Sequence, residues 1–201
     1  MKRIVVLFVL TAIFLAGKSQ PVIDLGVKAG ATVSTLHLRE SIPYFAKNAL
    51  RYHIGAFSRI GWGSLFVQPE IYFNSRGGYL KNGENAVTTA VANFDFSGVD
   101  VPILFGVRLL REEIIHFRLM GGPMLMFMTS NDVDPRPAFE DMFKRKYFED
   151  HLFGWQLGAG IDFSRYSLDV RLERSRNSVY QSDDFTTKNN LVLVSLGVKL
   201  F

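Results

Sequence analysis

Residues with the chemistry for acid–base catalysis are sparse in this chain. It has four histidines and no cysteine. His37 and His151 fall in connecting segments, while His53 and His116 sit inside strongly patterned stretches. His151 follows Asp150, and with Asp183 and Asp184 from a later segment it has the groups to activate a water molecule. No nucleophile motif accompanies them, so solvated loop residues are the stronger reading. Asp132, Asp134, Glu140 and Asp141 are acidic but lack the ligand spacing of a dedicated calcium loop. No phosphate-cradling glycine loop and no paired-histidine metal motif occurs. The lack of cysteine excludes disulfides, thiolate catalysis, Cys-ligated zinc and a lipidated Cys anchor. The expectation is a protein that is not an enzyme and takes no cofactor.

Two further clusters carry binding chemistry. Lys144, Arg145 and Lys146, set among Phe143, Tyr147 and Phe148, have the makeup of a grip on anionic lipid headgroups. A solvated charged loop competes with that reading. Met120, Met124 and Met126 would suit an apolar ligand pocket, although packing filler or a register shift after Gly121-Gly122 explains them more simply.

What must position these residues is read from alternation. Helical periodicity is weak, and a two-residue period recurs eight times along 201 residues. In "LFVQPEIYFN", Leu65, Val67, Ile71 and Phe73 share one face of an extended chain. Gln68, Glu70 and Asn74 share the other. Comparable runs cover 23–33, 50–60, 99–109, 115–127, 153–163, 166–173 and 192–200. The apolar phase holds no charged residue in any run. The other phase collects Glu70, Arg51, Arg59, Asp100, Arg108, Arg118, Asp162, Asp169, Arg171, Glu173 and Lys199, together with Asp24 and Lys28. Its glycines, Gly158 and Gly160 among them, leave room for long charged side chains.

An apolar face this clean must be buried against a second sheet or in lipid. The connections decide. They alternate short (around Gly61–Gly63, Arg111–Glu113 and Ser164-Arg165) and long (about 34–49, 76–93, 129–150 and 175–189). A sandwich with crossover links has no reason to alternate this way. The pattern predicts an all-β, eight-stranded antiparallel up-and-down transmembrane β-barrel with short periplasmic turns and long external loops. Leu65, Val67, Ile71 and Phe73 then meet lipid, and the charged phase forms a lumen network. Glu70 is expected to pair with Arg51, Arg59, Arg108 or Arg118. Pro69, Pro102 and Pro123 lie mid-strand, where a closed barrel has no edge to accept a missing donor, so bulges are expected there with a phase slip after each.

The first residues fit an export signal. Lys2 and Arg3 precede the apolar run Ile4–Leu15, and Gly17 and Ser19 occupy the small positions before a cleavage point. Residues 1–19 are therefore read as a signal peptide and 20–201 as the barrel domain. Losing Lys2, Arg3 and Lys18 with the leader removes three positive charges from a net charge of +4. The remaining balance argues against nucleic acid as a partner.

These motifs also match a family. "LFVQPEIYFNSRGG", "VDVPILFGVRL", "RLMGGPMLMF", "LGAGIDF" and the ending "LVSLGVKLF" resemble strands of the small outer-membrane β-barrel family with porin-like and PorT-type members. The ending departs from the pattern: Leu200 takes the place of the usual final Phe, and Phe201 is one residue more. The resemblance implies a Gram-negative outer-membrane location and insertion by the barrel-assembly machinery. Outer-membrane lipids are then neighbours. It implies little about activity. The expected role is structural, or an interaction with an unknown surface or secretion-system partner through the external loops. The alternatives are a small porin and an accessory barrel of a protein-secretion system, although no motif ties the chain to secretion.

Overall fold

The computed structural model describes residues 21–39, 44–82, 90–111, 114–135, 151–176, 180–181 and 186–201. The proposed leader, the Lys144–Lys146 cluster and Asp150, Asp183 and Asp184 lie outside them, as do Glu140 and Asp141. The strands are β1 (Val22–Arg39), β2 (Tyr44–Trp62), β3 (Leu65–Asn82), β4 (Ala90–Arg111), β5 (Ile115–Pro135), β6 (His151–Phe163), β7 (Tyr166–Ser175), β8 (Tyr180–Gln181) and β9 (Thr186–Lys199). All pairings are antiparallel. Each barrel strand pairs with the next in sequence, and β9 returns to β1, so the sheet closes. The two-residue β8 only lines the outer part of β9. The barrel is thus an eight-stranded meander built of β1–β7 and β9.

Closure removes sheet edges, which is the condition for strands to cross hydrocarbon. Side-chain burial alternates through β6, β7 and residues 191–198 of β9 in the phase read from the sequence. Outward residues such as Leu157, Leu172 and Leu196 are more than half exposed, while inward Arg171, Leu193 and Tyr72 are 1% exposed. The chain is inside-out relative to a soluble protein, and lipid covers the apolar wall.

Two-residue turns join β2 to β3 at Gly63-Ser64 and β6 to β7 at Ser164-Arg165. Gly63 takes φ 58° and Ser164 φ 53°, the left-handed conformation that tight hairpins require. Phe201, the extra terminal residue, accepts a backbone hydrogen bond from Leu25 at 3.1 Å, and Leu200 donates to Leu25 at 2.7 Å. The final residues thus help to seal the β1–β9 seam.

At the opposite end the strands run further than their apolar pattern. β1 to β5 span 18, 19, 18, 22 and 21 residues, about twice a membrane crossing. Segments that read as external loop are largely ladder. Apolar alternation marks only the height of the lipid layer, whereas backbone pairing continues without it.

The prolines do not act as expected. Pairing on both sides of Pro69, Pro102 and Pro123 keeps one register: Pro69 pairs Ile103 and Tyr72 pairs Asp100, while Pro102 pairs Met124 and Phe105 pairs Gly121. The ladder skips two pairs beside Pro69 and Pro102 and resumes in phase, so each missing donor is absorbed as a lapse rather than an inserted residue. The irregularities lie elsewhere, at Asn48/His53, Leu80/Lys81, Ser97/Gly98 and Arg108/Leu110. No shift follows Gly121-Gly122 either.

The hydrocarbon band can be placed on β7. Tyr166, Leu168, Val170, Leu172 and Arg174 point outward in turn, and Val170 is midway between the interfacial Tyr166 and Arg174. Val170→Arg is expected to destabilise the barrel by about 2–4 kcal/mol, the penalty of a cation at the bilayer midplane. Unfolding by urea in lipid vesicles measures it. An unchanged midpoint would mean that this wall does not face lipid.

Candidate functional site

The lumen is where the unusual residues converge. Inward positions of β2, β3, β5, β6 and β7 build a closed ring of seven side chains. Arg59 Nε donates to Gln68 Oε1 at 2.6 Å, and Gln68 Nε2 donates to Glu70 Oε1 at 2.6 Å. Arg171 grips Glu70 with both guanidinium ends, at 2.6 and 2.8 Å. It also reaches Asp169 Oδ2 at 2.8 Å. Arg118 lies 2.8 Å from both Asp169 and Asp162, and Arg59 returns to Asp162 at 2.8 Å. Arginine and carboxylate alternate around this circuit, three of each, with Gln68 filling the remaining gap. Lys28 is the added cation, hydrogen-bonded to Glu70 and 4.4 Å from the Tyr72 ring centroid.

The geometry of eight strands explains why the partners meet. In the closed order β2 lies opposite β6, and β3 lies opposite β7. Arg59–Asp162 and Glu70–Arg171 therefore span the bore from wall to wall. Such a narrow interior has room only for side chains. Glycine makes the space: a Cβ on Gly160 would stand 2.2 Å from Asp169 Oδ1 and 2.8 Å from an Arg118 nitrogen. Arg118 of β5 can meet Asp169 of β7 across β6 because the β6 residue between them carries no side chain.

A second layer lies toward the external end. Arg76, fully enclosed, donates to Asp100 and, at 2.5 Å, to Glu173 Oε1 across the bore. Asn74 Nδ2 donates to Asp100 at 3.0 Å, and Thr32 Oγ1 donates to Asn74 at 3.2 Å. Gln156 donates to Glu173 at 2.8 Å and to the Tyr72 hydroxyl. His53 stands between Thr32 Oγ1 at 2.9 Å and Ser195 Oγ at 2.7 Å. A serine hydroxyl on an imidazole is the start of a hydrolase dyad. Here Thr32 occupies the place of the orienting acid, and Ser195, His53 and Thr32 are at most 2% exposed. With all three enclosed among the described residues, the pair reads as a link in the hydrogen-bonded filling.

The expected lumen residues separate into three groups. Glu70, Arg59, Arg118, Asp162, Asp169 and Arg171 meet in the ring. Asp100 and Glu173 meet in the second layer around Arg76. Arg51 and Lys199 are half-buried and take no part in the ring, and Arg108 lies 3.9 Å from Asp24 near the periplasmic turn. The partner of Glu70 differs from the expected one. Neither Arg51, Arg59, Arg108 nor Arg118 holds it; Arg171 and Lys28 do. Sequence reasoning also missed Arg76, because the apolar pattern of β3 ends at Asn74, before the Gly77-Gly78 pair. Its even position, in step with Glu70, Tyr72 and Asn74, was the available signal.

Other candidates are placed more simply. Met120, Met124 and Met126 are inward and at most 2% exposed, and Met120 packs with Phe66 and Leu104. They fill the β4–β5 side of the bore. His151 is exposed at the start of β6, its ring 5.4 Å from that of Phe127. Among the described residues no group of three or more His, Asp or Glu is arranged to hold a metal.

The sequence model of one family, described as "Outer membrane protein beta-barrel domain", matches residues 19–181. Among solved structures, the outer membrane protein OprG of Pseudomonas aeruginosa has the same fold, with TM-score 0.53 and 12% identity over 90% of this chain and 98% of that one. The chain is also similar to Neisserial surface protein A, with TM-score 0.46 and 9% identity over 88% of this chain and 97% of that one. The attachment invasion locus protein Ail of Yersinia pestis, in a complex with the heparin analogue sucrose octasulfate, gives TM-score 0.45 and 15% identity over 89% and 99%. Among curated proteins none matches.

Proposed function

Because the chain belongs to the outer membrane protein beta-barrel domain family, we propose that it is a sealed barrel of the Gram-negative outer membrane, acting through its external face rather than through its bore. Residues 1–19 direct export and are removed, and the barrel-assembly machinery inserts the rest. The external end, extended by the long strands β1 to β5, meets a surface or secretion-system partner. The chain is not an enzyme in this reading.

The observation that carries the proposal is the pair of cross-braces Arg59–Asp162 and Glu70–Arg171, both buried and both spanning opposite walls. Ion flow would require at least one of them to open. Breaking a buried pair costs about 3–5 kcal/mol, so the open state would be populated at less than about one part in a hundred. Purified barrel in planar lipid bilayers is expected to give no steady conductance. A steady, ion-selective current would favour the small-porin reading instead.

A further inference from the structure

Among the described residues, the outer wall carries a groove that joins an apolar floor to a charged rim. It measures about 400 Å³ and is lined on its outward side by Trp155, Leu157, Leu172, Arg174, Asn190 and Val192. These come from three adjacent strands in register: Trp155 pairs with Arg174, and Arg174 with Asn190. The Phe153 ring stands edge-on to Trp155 at 5.9 Å and holds that side of the groove upright. Leu157, Leu172 and Val192 form the membrane-ward floor, and Arg174 and Asn190 form the external rim.

Arg174 is the exception on this face. Among the residues whose side chains are described, it is the one charged side chain on an outward strand position. It forms no ion pair with any of them, and neither does exposed Arg176 just beyond β7, whose amide is fixed to the Phe153 carbonyl at 2.8 Å. Every inward arginine of the ring, by contrast, is paired. An unpaired cation leaves its field available, and Arg174 sits at the height where headgroups begin.

We propose that this groove is a binding site for an anionic membrane lipid of the outer leaflet. One acyl chain lies along Leu157, Leu172 and Val192, flanked by Trp155. The phosphate meets Arg174, with Arg176 beside it. An apolar trough ending in Arg174, with exposed Arg176 two residues further along the chain, complements a phosphate attached to a hydrocarbon chain, and it complements neither half alone.

Trp155 offers a direct readout, because the chain has only two tryptophans and the other, Trp62, lies at the periplasmic turn. The protein carrying Trp62→Phe is placed in vesicles of phosphatidylcholine doped with brominated phosphatidylglycerol or brominated phosphatidylcholine. The brominated anionic lipid is expected to quench Trp155 with about fivefold higher relative affinity, the size of effect that one or two basic residues give near a membrane surface. Arg174→Gln with Arg176→Gln should bring the two lipids to near equality while heat-dependent gel mobility stays normal. Inorganic phosphate at millimolar concentration should leave the preference intact. Equal quenching at the outset, a preference that survives both substitutions, or its loss to free phosphate would each overturn the proposal. A second measurement does not rely on Trp62→Phe: the phosphatidylglycerol retained through purification by the protein with both tryptophans should exceed that retained by Arg174→Gln/Arg176→Gln. Equal retention there also counts against the site.

Discussion

Glu70→Gln is expected to destabilise the barrel by about 3–5 kcal/mol, as removing one member of a buried ion pair does. The substitution keeps the shape and takes away the charge that holds two cations. Arg171 retains Asp169 at 2.8 Å. Lys28 keeps only the Tyr72 ring, since Glu70 is the carboxylate it binds. Most of the loss should therefore arise at Lys28, an ammonium stranded in a dry interior. Adding Lys28→Met to Glu70→Gln removes that stranded charge and should recover a large part of the stability, a coupling that independent sites would not show. The midpoint of heat-dependent gel mobility, or of urea unfolding in vesicles, reads both variants. A double variant no better than Glu70→Gln alone would place the cost somewhere other than Lys28.

The same residues mark how far the sequence could be read. Which side chains point inward was legible because alternation is a property of each strand alone: lipid tolerates no charge on one face, so the charges collect on the other. Which inward residues touch was not legible from neighbouring strands, and that is where the expected partners of Glu70 were sought. In a bore this narrow, side chains from opposite walls meet near the axis, and a long arginine reaches past it. With eight strands, β3 faces β7, so strand counting alone points Glu70 toward Arg171. Strand length was hidden for a different reason. Beyond the lipid layer a ladder is held by backbone hydrogen bonds, which need no apolar residues, so β1 to β5 continue through segments of mixed composition. The prolines misled because a lapse of two ladder pairs, once the neighbours are fixed all around a closed wall, disturbs the structure less than inserting a residue and turning every later side chain around.

Arg76→Met is expected to have the larger effect of the two lumen substitutions. Arg76 is completely enclosed and bridges Asp100 and Glu173, which are also buried. Glu70→Gln leaves a cation with a reduced set of partners; Arg76→Met leaves two carboxylates facing each other with no cation between them. Asp100 would retain Asn74, and Glu173 would retain Gln156, but an amide donor does not neutralise a charge. The loss should therefore exceed the roughly 3–5 kcal/mol of a single broken pair, enough to lower the yield of folded barrel on refolding. Arg76→Lys should fall between, since one ammonium is a point charge and cannot hold two carboxylates with separate guanidinium ends. Combining Arg76→Met with Asp100→Asn and Glu173→Gln removes the layer's charges together and should restore folding. Heat-dependent mobility of refolded protein ranks the series. If Arg76→Met matches the unsubstituted chain, Arg76 does not brace β3 against β7. If the triple substitution stays as poorly folded as Arg76→Met alone, the loss comes from packing around the guanidinium and not from the two stranded carboxylates.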